Sequence, residues 1–200
     1  MQAIDTIVFD IGRVLVHLEF SRLLQFLSGH GVDVDPIGKL LERMDLTRYE
    51  RGDFDGDALL RRIASLGERP MAPEALREYW VGVFIPQQPM LDLVHALTAT
   101  HRVYLLSNIG DLHWEYLDRE LGVETLGHGA LPSFRARAVK PEAAIYQCAE
   151  ELFKLEPART VLVDDLEPNV AGARRCGWHA ILHESHARTT AALAALGVNA

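Results

Sequence analysis

Three apolar runs of this 200-residue chain end in side chains that can do chemistry. Ile7-Val8-Phe9 runs into Asp10, Val103–Leu106 into Ser107 and Asn108, and Val161–Val163 into Asp164 and Asp165. Lys140 stands just before Pro141 and an apolar-periodic segment. A carboxylate can attack an electrophile or bind a hard cation, while a hydroxyl, an amide and an ammonium can hold anionic oxygens. A single Asp after a strand is usually a turn or cap residue. The combination is more specific. There are only three lysines, Lys39, Lys140 and Lys154, among twenty basic residues, which makes Lys140 conspicuous.

The runs that carry these groups are apolar throughout rather than alternating, as in parallel strands covered on both faces. His179–Leu182 predicts a fourth strand, and a weaker one lies within Leu126–Ser133. Helical spacing over Met90–Ala99, Leu112–Leu121, Pro141–Leu155 and Asn169–Cys176 separates them, with Pro141 suited to the first helical position. This alternation predicts an α/β, Rossmann-like doubly wound parallel sheet. From Phe20 to Phe84 only helices are expected: Ser21–Ser28, Ile37–Arg48, Asp57–Leu66 and Pro73–Phe84. The expected division is a core of residues 1–14 and 88–200 with an inserted helical subdomain at 15–87. The tail from Ala187 reads as a small-residue helix or a frayed end. In such a sheet, ligands bind beyond the carboxyl ends of the strands, where these polar groups collect.

The order and texture of these segments resemble the haloacid dehalogenase (HAD) superfamily. VFDIGRVLV resembles its first motif, LLSN the second, VKP the third and VLVDDLEPNVAGA the fourth. The Phe20–Phe84 insertion matches the family's helical cap. Within the family, the texture is similar to that of small bacterial sugar-phosphate phosphatases of the glucose-1-phosphatase type. The resemblance implies a Mg²⁺-dependent phosphatase acting on a small phosphorylated molecule, such as a sugar phosphate. It implies Asp10 as nucleophile and metal ligand, Asp165 and the Gly12 carbonyl as further ligands, and Asp164 as support for the metal. It implies Lys140, Ser107 and Asn108 as phosphate-binding groups. Asn169 would orient the metal's surroundings or cap a helix.

Three departures from that pattern matter. The usual phosphatase of the family has a second Asp where this chain has Gly12, and that Asp protonates the leaving oxygen. Such assistance is worth about 10²–10⁴-fold. Either the leaving group needs little protonation, or another residue from the cap replaces the acid, or the chain is a poor catalyst. Arg13 stands where Gly is common, beside the nucleophile, and it either contacts phosphate or the cap or faces solvent. Arg135 and Arg137 make SFRARAVKP basic; they either draw in an anionic substrate or form a solvated face.

Composition narrows the field. The net charge of −8 leaves no basic excess for a general nucleic-acid binder. No run approaches the roughly 18 apolar residues of a membrane span, and the N-terminus lacks the basic lead of a signal peptide. Two cysteines, Cys148 and Cys176, make neither a disulfide framework nor a four-ligand zinc site. A cytoplasmic monomer or dimer is the expectation. His179, His183 and His186 are read as structural, and Tyr79, Trp80 and Phe84 as cap core. The polar turn Arg48–Asp53 is the expected place for substrate selection. The rival readings are a metal-free 2-haloacid dehalogenase and a non-catalytic binding protein that lacks the acid at position 12.

Overall fold

A computed structural model describes residues 3–199. The chain opens with β1 (Thr6–Phe9), then β2 (Val16–Leu18). Five helices follow: α1 (Ser21–Gly29), α2 (Ile37–Arg43), α3 (Leu46–Glu50), α4 (Gly56–Ser65) and α5 (Pro73–Val81). β3 (Phe84–Pro86) returns the chain to the sheet through α6 (Gln88–Thr98) and β4 (Arg102–Ser107). Then come α7 (Asp111–Leu121), β5 (Ala130–Pro132), the short α8 (Ser133–Ala136) and α9 (Ala143–Phe153). The last elements are β6 (Thr160–Asp164), α10 (Glu167–Arg175), β7 (His179–Leu182) and α11 (His186–Ala195).

The five long-range strands form one parallel sheet in the order β5-β4-β1-β6-β7. The strands read as continuous apolar runs because both faces are buried. Ile7, Phe9, Val103, Leu105, Val161 and Val163 pack on α6, α7 and α11. The alternate residues Val8, Tyr104, Leu106 and Leu162 pack on α9 and α10. The chain fills one side of β1 and then the other, so the strand order reverses at β1. Register carries the chemistry to one level. Phe9 pairs with both Leu105 and Val163, so Asp10, Leu106 and Asp164 come side by side one step later.

Helices α1–α5 have an apolar core of their own, built from residues such as Leu27, Leu59, Ile63, Leu76 and Trp80. They connect to the sheet through an antiparallel β2–β3 ribbon in which His17 pairs with Ile85. The sequence pattern predicts neither strand: β2 follows the first motif without a strand signal, and β3 begins at Phe84, the end of the expected helix Pro73–Phe84. Each strand has three residues and takes shape only by pairing with the other across the whole helical layer, which a local pattern does not show. The expected helix Ile37–Arg48 is two helices. Asp45 between them has φ +55°, a left-handed conformation that Asp tolerates better than most residues. Pro141 precedes α9 instead of starting it, because both main-chain groups of Lys140 are paired to the side chain of Asn108 rather than drawn into the helix. α11 confirms a helix in the tail through Ala195.

The helical layer is docked on the sheet by Tyr49, which is 1% exposed. Its hydroxyl donates to Asp111 Oδ1 (2.7 Å) and accepts from Leu112 N (3.1 Å). Gly110 makes room for this ring: a Cβ there would stand 2.1 Å from Tyr49. Tyr49→Phe therefore removes the charge-assisted bond to Asp111 and one of the two bonds of the Leu112 N–H, which keeps its bond to Asp111 Oδ1 (2.9 Å). It is expected to lower the unfolding free energy by about 1–3 kcal/mol, read by urea denaturation. An unchanged midpoint and slope would contradict this account of docking.

Candidate active site

Lys140 lies at the centre of the polar cluster, with its side chain wholly buried. Its ammonium is 3.0 Å from Asp10 Oδ1 and donates to Asp164 Oδ2 (2.6 Å) and to the Leu106 carbonyl (2.8 Å). Burial alone would push the Lys140 pKa down, but the charges of Asp10 and Asp164 outweigh it and raise the pKa. The ammonium form is thus fixed. Asn108 positions the lysine by a reciprocal pair: its Oδ1 accepts from Lys140 N (2.8 Å), and its Nδ2 donates to Lys140 O (2.9 Å). One of the two N–H groups of the Asn108 amide is thereby spent on the backbone of Lys140, while Asn108 still lines the cavity.

Asp10 stands at the end of β1 with 7% exposure. Its Oδ1 also accepts from Ser107 Oγ (2.8 Å) and Ile11 N (2.7 Å). No hydrogen bond to Oδ2 is found among the described residues, so that oxygen remains open. Burial raises the Asp10 pKa and the Asp164 charge adds to this, against Lys140 and the Ser107 hydroxyl. The carboxylate therefore calls for further positive charge.

Asp164, fully buried, spends both oxygens within the protein: Oδ2 on Lys140, and Oδ1 on Asn169 Nδ2 (2.9 Å) and Leu166 N (3.0 Å). Asn169 thus orients Asp164. Asp165 is different. Its closest charged partner is Arg13, at 3.9 Å, whose side chain is 61% exposed. Burial, and then the Asp164 charge, raise the Asp165 pKa. Arg13 has φ +58° and so holds a conformation in which Gly is more usual. Carboxylate oxygens of Asp10, Asp164 and Asp165 lie within 4.8 Å of one another, a donor set suited to a hard cation. Gly12 lies beside them, and its carbonyl oxygen has no hydrogen-bond partner among the described residues. A Cβ on Gly12 would meet nothing within 4 Å, so loss of a side chain there is not forced by packing.

These groups line one end of a cavity of about 380 Å³ that reaches into the helical layer. Glu50, the last residue of α3, lines it too. It is the only carboxyl group in the lining besides Asp10 and Asp165. Its neighbours fasten it there. Arg51 makes a two-pronged pair with Glu142 (2.8 and 2.5 Å), Ser133 Oγ donates to the Glu50 carbonyl (2.6 Å), and Arg137 donates to the Gly52 carbonyl. No hydrogen bond holds the Glu50 carboxyl among the described residues. Burial, and then the Asp10 charge, push its pKa up to about 7 against the pull of Lys140. The sequence shows Glu50 only as one polar residue of a polar turn. The long-range partners of Tyr49 and Arg51 are what single it out.

Most of the remaining candidates fall outside the cavity. Arg135 pairs with Glu124 (2.6 Å) and Arg137 fastens the helical layer, so neither lines the site. His17 and Glu19 also stand outside the lining. His183 is bonded to Thr189 (2.8 Å), and burial raises the pKa of Cys176. Trp80, stacked on His113 at 4.7 Å, is part of the cavity wall.

The raised pKa of Glu50 sets a sign. Folding favours its neutral form, so folded Glu50 holds its proton across a range in which the unfolded chain has lost it. Stability present at low pH is therefore lost as pH rises from about 4.5 toward 7. Urea titrations of the metal-free protein across this range are expected to show that decline, and Glu50→Gln is expected to make it shallower. An equal slope in both proteins would contradict the assignment.

No family model matches the sequence. Comparison of folds is more informative. A HAD family enzyme from Bacteroides thetaiotaomicron aligns with a TM-score of 0.84 at 22% identity, over 92% of this chain and 95% of that one. The same enzyme in complex with magnesium and inorganic phosphate gives 0.82 at 23%, over 91% and 95%. A "predicted HAD-like family hydrolase" from Porphyromonas gingivalis gives 0.81 at 21%, over the whole of both chains. An L-2-haloacid dehalogenase from Xanthobacter autotrophicus, with chloropropionic acid covalently bound, gives 0.62 at 17%, over 98% and 85%. The parallel sheet, its strand-end carboxylates and the helical layer above them give this chain the fold of the HAD family enzymes.

Proposed function

We propose that the chain is a Mg²⁺-dependent HAD-like hydrolase, a phosphatase that cleaves a small phosphomonoester through an aspartyl-phosphate on Asp10. The observation that carries this reading is the division of labour among the three aspartates. Asp164 is spent on Lys140, whereas Asp165 and Asp10 Oδ2 are open and face the same cavity. Asp10, Asp165 and the Gly12 carbonyl would hold the ion, an all-oxygen set that suits Mg²⁺. Bound there, the ion supplies positive charge that offsets repulsion between Asp10 and a phosphate dianion. The neighbour crystallised with magnesium and inorganic phosphate supports this reading.

The protein's own groups then divide the reaction. Lys140 and Ser107 hold Asp10 in place and present donors where phosphoryl oxygens collect. An Asp10 oxygen attacks phosphorus. The bond from phosphorus to the ester oxygen breaks, and its electron pair leaves with that oxygen. The Glu50 carboxyl gives this oxygen its proton, the task that Gly12 cannot perform. Water then attacks the phosphorus of the aspartyl-phosphate while the Glu50 carboxylate takes its proton. Inorganic phosphate leaves and Asp10 is restored. The segment 15–87 serves as a cap that excludes water and carries Glu50 to the site.

A 2-haloacid dehalogenase would also use Asp10, attacking carbon with no ion. That reading leaves Asp165 with only its 3.9 Å contact to Arg13. A panel of phosphomonoesters with and without Mg²⁺ separates the two. Hydrolysis is expected to vanish with EDTA, to return with Mg²⁺ and to be lost in Asp10→Asn. Undiminished turnover in that variant would remove the nucleophile, and metal-independent release of halide would favour the dehalogenase. Tight ligand binding with no turnover would favour a non-catalytic protein.

Glu50 has its own test. Glu50→Gln is expected to slow alkyl phosphates by about 10²–10⁴-fold while slowing p-nitrophenyl phosphate, whose leaving group needs little protonation, far less. Gly12→Asp, for which there is room, is expected to restore the alkyl esters in that background. Equal losses on both ester types would contradict the proton-donor role.

A further inference from the structure

Beyond the phosphate end, the cavity is walled by the helical layer. Leu23 and Leu24 come from α1, Leu40 and Leu41 from α2, and Met44 and Trp80 complete the apolar surface. Its volume, about 380 Å³, lies in the range of pockets that enclose a small organic ligand. Most polar atoms in this part of the wall are already committed. The Tyr49 hydroxyl serves Asp111 and Leu112, His113 Nε2 is 2.9 Å from the Trp80 carbonyl, and Asn108 serves the backbone of Lys140. His113 is also uncharged near neutrality, because burial pulls its pKa down to about 4. Few polar groups are left over: the Glu50 carboxyl, and His113 Nδ1 and the second amide N–H of Asn108, for which no hydrogen bond is found among the described residues; Trp80 Nε1 is unpaired too but fully buried.

We propose that the organic part of the substrate is apolar, an aliphatic or aromatic alcohol, and that the protein selects such phosphomonoesters over sugar phosphates. The proposal rests on the phosphatase reading above and deepens it. A hexose would bring several hydroxyls into this largely apolar wall and find few free polar groups to meet them. Hydroxyls buried without partners weaken binding, whereas each buried methylene strengthens it about fourfold. The phosphate provides the shared anchor at Asp10, Ser107 and Lys140, so discrimination falls to the helical layer.

The test compares ethyl, hexyl and hexose phosphates, all esters of primary alcohols, with Mg²⁺ present and p-nitrophenyl phosphate as reference. The expected result is a kcat/KM at least about tenfold higher for hexyl than for ethyl phosphate, carried mainly by KM, and a hexose phosphate at least about tenfold below hexyl. Leu41→Gln, at a half-buried wall position, is expected to shrink the hexyl-to-ethyl ratio, and Leu41→Ala to shrink it less. A second readout needs no turnover. Hexyl phosphate is expected to displace a fluorescent anilinonaphthalene sulfonate from the protein at concentrations where the hexose phosphate does not. Turnover without chain-length dependence, a preference for the hexose phosphate, or equal displacement by both ligands would overturn the apolar assignment and leave the phosphatase reading intact. No Mg²⁺-dependent turnover of any ester, p-nitrophenyl phosphate included, would overturn both.

Discussion

The arrangement depends on a buried ammonium. An ammonium has three N–H donors, and Lys140 finds three acceptors at the carboxyl ends of three adjacent strands: Asp10, Asp164 and the Leu106 carbonyl. Burying a lone charge is costly, and a buried pair is tolerated only when its geometry and remaining hydrogen bonds are satisfied. Here they are. Asn108 holds the backbone of the lysine, and Asn169 and Leu166 hold Asp164. The result is a fixed positive point against which Asp10 is aligned. Three carboxylates share one buried ammonium, and Arg13 contributes only from the exposed rim. The cluster is thus left electron-rich, which makes an additional cation its natural complement.

The helical layer matters through the same economy of contacts. Tyr49, Arg51 and Gly52 each reach a group below them in the sheet half of the molecule, at Asp111, Glu142 and Arg137. Glu50 lies among them with its carboxyl free. The anchoring residues and the chemically available one alternate along a single short helix and turn. The polar end and the apolar wall of the cavity are therefore held together by these anchors.

Much of this was legible beforehand, for reasons that differ by residue. Asp10, Ser107 and Asp164 end apolar runs, and parallel strands in register bring run ends to one edge, so their convergence followed from pattern alone. Lys140 was marked by rarity and by its place before Pro141. What stayed hidden depends on pairs far apart in sequence. The β2–β3 ribbon is two three-residue segments that define each other. The break in the expected helix at Asp45 rests on one left-handed residue. The Asn108 amide spends its oxygen and one N–H on Lys140, and the donor capacity of an amide does not reveal which partner it takes. Glu50 stands out from neighbouring polar residues only once their long-range partners are known. Arg135 and Arg137 read either as a basic face for anions or as a solvated face; their guanidinium groups bind Glu124 and the Gly52 carbonyl.

The central claim is that Asp10 forms a covalent bond to phosphorus. Acid quenching during the first turnover with Mg²⁺ and a fast ester such as p-nitrophenyl phosphate, followed by peptide mass analysis, measures this directly. The account predicts one phosphoryl group on the peptide containing Asp10, removed by hydroxylamine as an acyl phosphate must be. Burst release of product with Asp10 unmodified, or a phosphoryl group on another side chain, would contradict it.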